Sequence, residues 1–427
     1  MVKLIVYLML LIAGSIGFLG CDDKSRDLTE PLEFSPAADQ FVQDAINIAS
    51  IVNVDTIRDS MLLAAKQINA AGGVLGKPLN VVSVVASDTE HAVRLATDIL
   101  QYDIKLMGVS YSSRSKAVAQ LTIPMQIPLI SESATSTFFT QYEDEDFYFR
   151  MVPSDVYQAQ ILATLAIQQG FQTAVTVHNE SDQYGETLTA LFEQNFELSG
   201  GTVLDNIQVP FSIGQGFDTF IHSIEQLNPD VILDVILEAD ESANFVNETL
   251  SSGLSSQFLF PDASAGISSF SNNIANPDLI ADALGTAPGF GFKDNLEAQF
   301  FIDSYRQQFG IMPDTFDVNG YDLVMVAALA IEHAGISNNT QEPTGVMVRD
   351  SLRAVMNAPG QKLGPSQIGQ ALSLVRQGLP VDYSGAYADN DWDENGDVIG
   401  EIVYDVLSIN SETKEWQTQY QQKIVVP

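Results

Sequence analysis

Two successive runs of alternating strand-like and helix-like segments constrain the fold of this chain more than any other feature of its sequence. The strand-like segments are short Val/Ile/Leu runs such as Leu79–Ala86 and Val231–Leu237, which are typical of parallel strands covered by helices on both faces. Helix-like segments lie between them; Arg58–Ala70, for example, places its apolar residues on one stripe. The alternation begins near Phe41 and restarts after Pro153. We therefore predict an α/β fold of two doubly wound, Rossmann-like lobes with a ligand cleft between them.

The individual elements follow from the same patterns. The predicted strands are Ala45–Ile51, Leu79–Ala86, Ile104–Val109, Thr173–Val177, Val203–Val209, Val231–Leu237 and Gln257–Phe260; the predicted helices are Arg58–Ala70, His91–Gln101, Tyr184–Leu198, Phe217–Leu227 and Ala243–Leu250. Ligands of doubly wound sheets bind outside the carboxyl ends of the strands. We therefore expect binding chemistry in the loops after Val109, Ile130, Val177, Leu237 and Phe260.

The charge balance excludes one class of partner. The 427 residues contain 55 Asp and Glu against 19 Lys and Arg, a formal net charge of −36. Such a surface repels phosphate backbones, so we expect no nucleic-acid partner. The plainer interpretation of the charge is a solubilising acidic surface, which also suits a salty habitat.

The N-terminal residues are typical of an export signal. Lys3 supplies a positive charge, and Leu4–Phe18 is an apolar or small-residue run of roughly 15 residues, the length of a signal-peptide core. A membrane-spanning helix needs about 20. Phe18-Leu19-Gly20-Cys21 resembles a bacterial lipobox, and Cys21 is the only cysteine of the chain. We predict a signal peptide over 1–20 and lipidation of Cys21; the alternative is an incidental cysteine after an ordinary signal peptide.

The segment after the cysteine is predicted to be a tether. Asp22–Gln40 is polar and contains two prolines, so residues 21–40 are expected to form a lipid anchor and a flexible tether. These features predict a periplasmic or extracytoplasmic protein that the bilayer holds through acylated Cys21. Asp22 resembles the signal that retains lipoproteins at an inner membrane.

Eight stretches in order resemble the periplasmic leucine/isoleucine/valine-binding family, the type I binding proteins of branched-chain amino-acid and amide importers. They are Gln67-INAAGGVLGKPL-Asn80, Gly108-VSYSSRSKAVA, Ile127-PLISESAT-Ser136, Phe147-YFRMVPSD-Val156, His178-NESDQYGE-Thr187, Pro229-DVIL-Asp234, Gln257-FLFPDA-Ser264 and Tyr383-SGAYADNDWDENGD-Val398. The resemblance covers nearly all of the chain from Ala45 onward. It implies a solute-binding lipoprotein of an ABC importer that captures an amino acid or a similar small molecule, with an ABC permease in the inner membrane as its partner.

The resemblance also implies the domain limits. Lobe 1 is expected over 41–154 plus 290–384, and lobe 2 over 155–289 plus 385–427. Two other classes stay open: a ligand-sensing receptor component of a signalling system, and an enzyme accessory or scavenger without a ligand.

The family's ligand-carboxylate site maps onto four residues of the first lobe: Ser112, Ser133, Ala134 and Thr135. Hydroxyls and backbone N–H groups at strand ends donate to an anion without a bulky cation. The structural alternatives are a loop-capping serine for Ser112 and a helix N-cap for residues 133–135.

The family's ammonium-binding acid and its ligand-covering tyrosine map onto Asp262 and Tyr184. A carboxylate suits a charge-assisted hydrogen bond to an ammonium group. The alternatives are a turn-forming aspartate after Pro261 and a half-buried aromatic at a helix start. Two departures leave the ligand open: Leu237 stands where the family has a second tyrosine, and the loop Val52–Ile57, which usually helps to enclose the ligand's side chain, is short.

The catalytic motifs of an enzyme are incomplete or missing in this sequence. Ser113-Arg-Ser-Lys116 and Ser411-Glu-Thr-Lys414 fit the β-lactamase S-x-x-K motif, but its companion motifs are missing. No G-x-S-x-G, H-E-x-x-H or dinucleotide-binding motif occurs. The four histidines are scattered, and only His178 is near the predicted cleft. We therefore predict a binding protein without a cofactor, not an enzyme.

One acidic segment has two interpretations. Asp391, Asp393, Asn395 and Asp397 reproduce the first half of a calcium loop, with oxygens at alternate positions and Gly396 at the sixth. The loop's closing Glu falls at Ile402 instead. The family's closing hairpin explains the same segment as a turn.

Overall fold

The first sheet is built from the early part of the chain. A computed structural model describes residues 37–214, 216–289 and 295–426. The sheet contains β1 (Ile46–Val52), β2 (Leu79–Val85), β3 (Met107–Val109), β4 (Leu129–Ser131) and β5 (Tyr148–Arg150), all parallel, in the order β2-β1-β3-β4-β5. Helices α1 (Asp55–Ala70), α2 (Thr89–Ile99) and α3 (Ser112–Thr122) connect them. The strands are buried on both faces, as their apolar runs predict.

The second sheet has eight strands. Its parallel part contains β6 (Thr173–Asn179), β7 (Thr202–Val209), β8 (Val231–Val235), β9 (Gln257–Phe260) and β10 (Leu284–Pro288). Helices α4 (Asp155–Gln168), α5 (Gln183–Leu198), α6 (Asp218–Leu227), α7 (Ala239–Ser252) and α8 (Ser268–Asn273) accompany it. The chain returns at the end, where β13 (Asn390–Trp392), β14 (Val398–Ile409) and β15 (Trp416–Val426) add antiparallel strands beside β10.

The segment between the two contributions to the second sheet packs on the first. It contains α9 (Leu296–Phe309), α10 (Asp317–Ser337), α11 (Gly345–Met356), α12 (Ile368–Arg376) and the short parallel pair β11 (Gln361–Leu363) and β12 (Val381–Tyr383). Helix α10 is buried along nearly its whole length and lies at the centre of the largest apolar cluster. Short 3₁₀ turns occur at Ala38–Gln40, Ile123–Met125, Thr137–Gln141, Pro277–Ile280 and Pro365–Gln367.

The predicted α/β fold with two lobes is confirmed. Each of the twelve predicted strands and helices corresponds to an observed one. The strand Gln257–Phe260 has the predicted bounds, and the other elements shift at one or both ends by a few residues; the strand predicted over Ile104–Val109 is paired only over Met107–Val109. Ordered structure begins before the predicted Phe41: Gln40 accepts a hydrogen bond from the Ser83 N–H (3.0 Å). Lys3, Leu4–Phe18, Cys21 and the tether up to residue 36 lie outside the described residues. Within the described ranges, no helix has the length and apolarity needed to cross a bilayer.

Candidate functional site

The carboxyl ends of strands from both lobes meet at one cleft, which is closed in this structure. The Ser113 hydroxyl donates to Asp182 (2.8 Å) and accepts from the Gln183 N–H (2.9 Å). Arg114 forms an ion pair with Glu238 (3.2 Å). These contacts join helix α3 of the first lobe to the loops before α5 and α7 of the second, so residues at the strand ends are shielded from water.

The four residues predicted to hold a carboxylate lie together on the first-lobe side. Ser112 is the first residue of α3, where unpaired N–H groups favour an anion. Its hydroxyl accepts from the Ser136 N–H (3.2 Å), which leaves its own proton to donate. Ser133 is engaged on both sides, because it accepts from the Tyr111 N–H (3.0 Å) and donates to Glu132 (3.3 Å). The Ser112 hydroxyl thus caps the neighbouring loop, as its structural alternative predicts, and of the two serines it is the one that keeps its own proton to donate.

The neighbouring residues of the same loop differ in what they offer. The Ala134 N–H donates to Ser131 (3.0 Å). The Thr135 hydroxyl is buried and makes no hydrogen bond of ordinary geometry with the described residues. Ser112 and Thr135 thus have donor capacity left for a ligand. So does the neighbouring Ser136 hydroxyl, which accepts from the Phe138 N–H and the Thr187 hydroxyl.

Arg150, at the end of β5, holds this loop in place. The side chain is 0% exposed. Its Nη1 donates to the carbonyl oxygens of Thr135 and Ser136 (both 2.9 Å), and its Nε donates to Asp397 (2.7 Å). Burial lowers the Arg150 pKa, but the Asp397 carboxylate more than compensates, so the pKa lies above its usual value. The sequence pattern gave no signal for this role, since Arg150 lies within an aromatic strand.

Two buried carboxyl groups, the acidic pair Asp155 and Asp262, face the loop that contains Thr135. They are 0% and 1% exposed. The Asp155 N–H donates to the Thr135 carbonyl oxygen (2.8 Å). This bond places the first residue of α4 beside the loop of Ser133, Ala134 and Thr135, called the carboxylate loop below. No hydrogen bond of ordinary geometry reaches either oxygen of Asp155, or Oδ2 of Asp262, from the described residues, although the Thr135 hydroxyl lies beside Asp155 and the Gln158 side chain beside Asp262. Unpaired buried carboxyl oxygens are costly and need an explanation.

Tyrosines surround the acidic pair. The Tyr184 hydroxyl donates to Asp262 Oδ1 (2.7 Å), so the predicted tyrosine and the predicted acid are in direct contact. Tyr387 and Tyr404 are buried, and neither hydroxyl has a partner among the described residues. Burial is the main cause that raises the pKa values of both tyrosines; the Asp262 charge raises them further, after that of Asp405 in the case of Tyr387.

Burial sets the protonation of the acidic pair. Burial raises the pKa of Asp262 to about 6, although the hydrogen bond from Tyr184 lowers this pKa. Burial also raises the Asp155 pKa well above its ordinary value, and the neighbouring Asp262 charge raises it further. Without a cation, the pair therefore holds its protons to a higher pH than ordinary carboxyl groups do.

The acidic pair predicts a pH dependence. A cationic ligand must displace the retained protons, so affinity is expected to fall by up to about tenfold per unit as the pH drops from 7 through 6 to 5. Titration calorimetry at these three pH values measures the effect. An affinity that is constant over this range for a cationic ligand contradicts the assignment of the pair.

Sequence reasoning missed Asp155, Arg150, Tyr387 and Tyr404. Asp155 lies inside the quoted stretch Phe147-YFRMVPSD-Val156, but an acid in the first turn of a helix ordinarily indicates only a favourable dipole interaction. The only sequence signal for Asp155 was the Pro153-Ser154 pair before it, which marks the loop that follows a first-lobe strand.

The acidic segment near the C-terminus adopts a turn. Asp393 accepts from the N–H groups of Asn395 (2.8 Å) and Asp397 (2.9 Å), and Gly396 has the positive φ (+74°) that such a turn requires. Asp397 is committed to Arg150, and Asp391 lies on β13. Among the described residues, no group of three or more His, Cys, Asp or Glu is placed to hold a metal ion. The geometry thus favours the hairpin interpretation.

The remaining motifs have structural partners. In the first S-x-x-K match, Ser113 contacts Asp182, and Lys116 donates to Gln183. In the second, Lys414 donates to the Ile274 carbonyl oxygen. His178 is buried on β6, with its Nδ1 2.9 Å from the Asn179 carbonyl oxygen.

A concavity of about 730 Å³ lies between α6 and α7, away from these residues. Glu248 on its wall accepts from the N–H groups of Gly216 (3.2 Å) and Phe217 (2.9 Å). The carboxylate therefore caps the start of α6. The concavity has no residue in common with the cleft.

The protein has two doubly wound lobes that close over a cleft. Hydroxyl donors line one side of the cleft and buried acids the other, and this arrangement is that of a two-lobed solute-binding protein. The model of the periplasmic binding protein family matches residues 54–369. The chain belongs to this family, and the resemblance to its leucine-binding members is confirmed.

Individual relatives agree with this assignment. The leucine-, isoleucine-, valine-, threonine- and alanine-binding protein of Pseudomonas aeruginosa is 24% identical over 320 residues, which cover 74% of this chain and 82% of the relative. Metabotropic glutamate receptor 4 of Macaca fascicularis is 30% identical over 154 residues, 34% of this chain and only 17% of the receptor.

Solved structures have the same fold. A leucine-binding protein of Thermotoga maritima matches with a TM-score of 0.72 and 19% identity, covering 88% of this chain and 98% of its own. A branched-chain amino-acid transporter substrate-binding protein of Streptococcus pneumoniae, in complex with isoleucine, matches with a TM-score of 0.71 and 17% identity, covering 90% and 100%. The type I periplasmic binding fold is thereby confirmed.

Proposed function

We propose that this protein captures a free α-amino acid between its lobes and delivers it to an ABC permease. The observation that carries the proposal is the contact between the carboxylate loop and the acidic pair. Thr135 adjoins Asp155 through a backbone hydrogen bond of 2.8 Å, so anion-binding and cation-binding groups lie side by side. An α-amino acid carries its carboxylate and its ammonium group on one carbon and matches that spacing.

Each end of the ligand has a partner in the proposal. Ser112 and Thr135 donate to the carboxylate, helped by the positive end of α3. Asp155 and Asp262 accept from the ammonium group, which supplies the missing partners of their oxygens. Tyr184 fixes the orientation of Asp262, and Ser133 and Ala134 shape the loop.

The cellular setting is part of the same proposal. Export by the segment 1–20, lipidation at Cys21 and a tether to residue 40 would hold the binding lobes at the outer face of the inner membrane. Closure around the ligand from lobe 1 (41–154 plus 290–384) to lobe 2 (155–289 plus 385–427) would present the loaded form to the permease.

A thermal-unfolding panel tests the capture of amino acids. The protein is unfolded and refolded to remove carried ligand, and then heated with single amino acids, amides and short peptides. A ligand at a thousandfold excess over its Kd adds about 4 kcal/mol to the free energy of unfolding, so Tm is expected to rise by several degrees with at least one free amino acid. A flat response to every amino acid contradicts the proposal.

A sensing role is the second candidate, because metabotropic glutamate receptors are among the relatives. The two roles separate when the protein is added to vesicles that contain a candidate permease and its ATPase. Ligand-dependent ATP hydrolysis and uptake favour transport, whereas binding without either favours sensing.

A further inference from the structure

Tyr111 has a strained backbone at the centre of the cleft. Its φ of +67° with ψ of +146° is a conformation that residues other than glycine rarely adopt, because it is sterically strained. It persists only where the surroundings fix it. Tyr111 lies between β3 and Ser112, the proposed donor to the ligand's carboxylate, so its conformation bears on the binding site.

Several contacts hold the side chain across the cleft. The Tyr111 hydroxyl accepts from Asn53 Nδ2 (2.8 Å), which follows β1. The Arg114 guanidinium lies 4.6 Å from the centre of the ring, and the same Arg114 pairs with Glu238 of the other lobe. The ring itself packs against the second-lobe apolar cluster that contains Tyr184 and Leu237. Tyr111 thus reaches from the first lobe into the second.

The order of the strands locates the ring relative to the proposed ligand. Along the first sheet the order is β5, β4, β3, β1. The residues that follow these strands are Asp155, then Thr135, then Ser112 with Tyr111, and finally Asn53. Along the cleft, the proposed partner of the ammonium group therefore comes first and the proposed partners of the carboxylate follow. The Tyr111 ring fills the next part of the cleft.

We propose that Tyr111 limits the size of the ligand's side chain and restricts the protein to small α-amino acids such as glycine, alanine and serine. This inference rests on the proposed function and adds the ligand class to it. The short loop Val52–Ile57 contributes to the same limit, because its Asn53 bonds the phenol of Tyr111 and so holds the ring in place. A leucine or phenylalanine side chain would have to displace the ring and break that hydrogen bond.

Titration calorimetry with glycine, alanine, leucine and phenylalanine tests the size limit. The unaltered protein is expected to bind alanine at least about tenfold more tightly than leucine, since even one methylene is worth roughly 10- to 200-fold. In Tyr111→Gly, which also relieves the positive φ, the preference is expected to shift by at least tenfold toward leucine. Tyr111→Phe keeps the ring but loses the hydrogen bond from Asn53, so it is expected to retain a preference for alanine that is smaller than that of the unaltered protein.

The control and the contrary outcomes keep the inference separate from the proposed function. Tyr420→Ala removes an exposed tyrosine on β15 and should leave the preference unchanged. If the unaltered protein binds leucine as tightly as alanine, or if Tyr111→Gly leaves the ratio unchanged, the size limit is wrong while amino-acid capture stands. If no amino acid binds at all, the proposed function fails and the inference fails with it.

Discussion

Replacing Asp262 or Asp155 with asparagine is expected to weaken amino-acid binding by about 2–5 kcal/mol, roughly 30- to 5,000-fold in Kd. The reason is that the ligand's ammonium group is buried on closure and loses a charged partner. The unliganded variants are expected to be as stable as the original protein or more stable, because one of two adjacent buried carboxyl groups with raised pKa values is removed. Calorimetry gives the affinities, and thermal unfolding gives the stabilities.

Asp317→Asn is the matched control for these two variants. Asp317 is a buried carboxyl group at the start of α10, and burial raises its pKa to about 8. Its Oδ2 accepts from the Asp314 N–H (2.9 Å), away from the acidic pair. The Asp317→Asn variant should change the affinity for the ligand little. If Asp262→Asn and Asp155→Asn both bind as tightly as the unaltered protein, the acidic pair is not the cation site.

Replacing Arg150 with methionine is expected to destabilise the protein by about 3–5 kcal/mol, because Asp397 is left without its buried partner. Tm should fall by roughly 5 °C, because a chain of this size has a large entropy of unfolding. The carbonyl oxygens of Thr135 and Ser136 also lose their donor, so the loop that carries Thr135 is released. Ligand affinity should therefore fall in the folded fraction as well.

Two further variants define what Arg150 does. Arg150→Lys keeps the charge but lacks the guanidinium's several donors, so an intermediate loss is expected. Arg94→Met removes a guanidinium that is 58% exposed and whose ion pair within the described part of the chain is with Glu90, one turn away. This change should barely move Tm. A Tm for Arg150→Met within two degrees of the original would show that the buried ion pair contributes little.

The parts of the fold with clear periodicity could be predicted from the sequence. Val231–Leu237 and Arg58–Ala70 each have one interpretation, as a buried strand and an amphipathic helix. Helix α10 (Asp317–Ser337) was not predicted, because it is apolar on all sides and has no stripe that gives a helical period. Its burial at the centre of a core depends on helices that come later in the chain.

The site was only partly predictable, and mainly through resemblance. Asp262 and Tyr184, the two residues that the resemblance indicates, lie in contact with each other, while their binding of a ligand stays a prediction. Asp155 was missed because its local sequence explains it as an ordinary helix-start acid, and its partner lies 107 residues away. The strained conformation of Tyr111 depends on Asn53 and Arg114, so no local pattern indicates it.

The most direct test of the central claim is calorimetry of one bound amino acid against its N-acetylated and decarboxylated analogues. Each analogue is expected to bind at least about 30-fold more weakly. The first lacks the ammonium group for Asp155 and Asp262, and the second lacks the carboxylate for Ser112 and Thr135. If the N-acetylated form binds as tightly as the free amino acid, the acidic pair does not hold an ammonium group, and the site holds another class of solute.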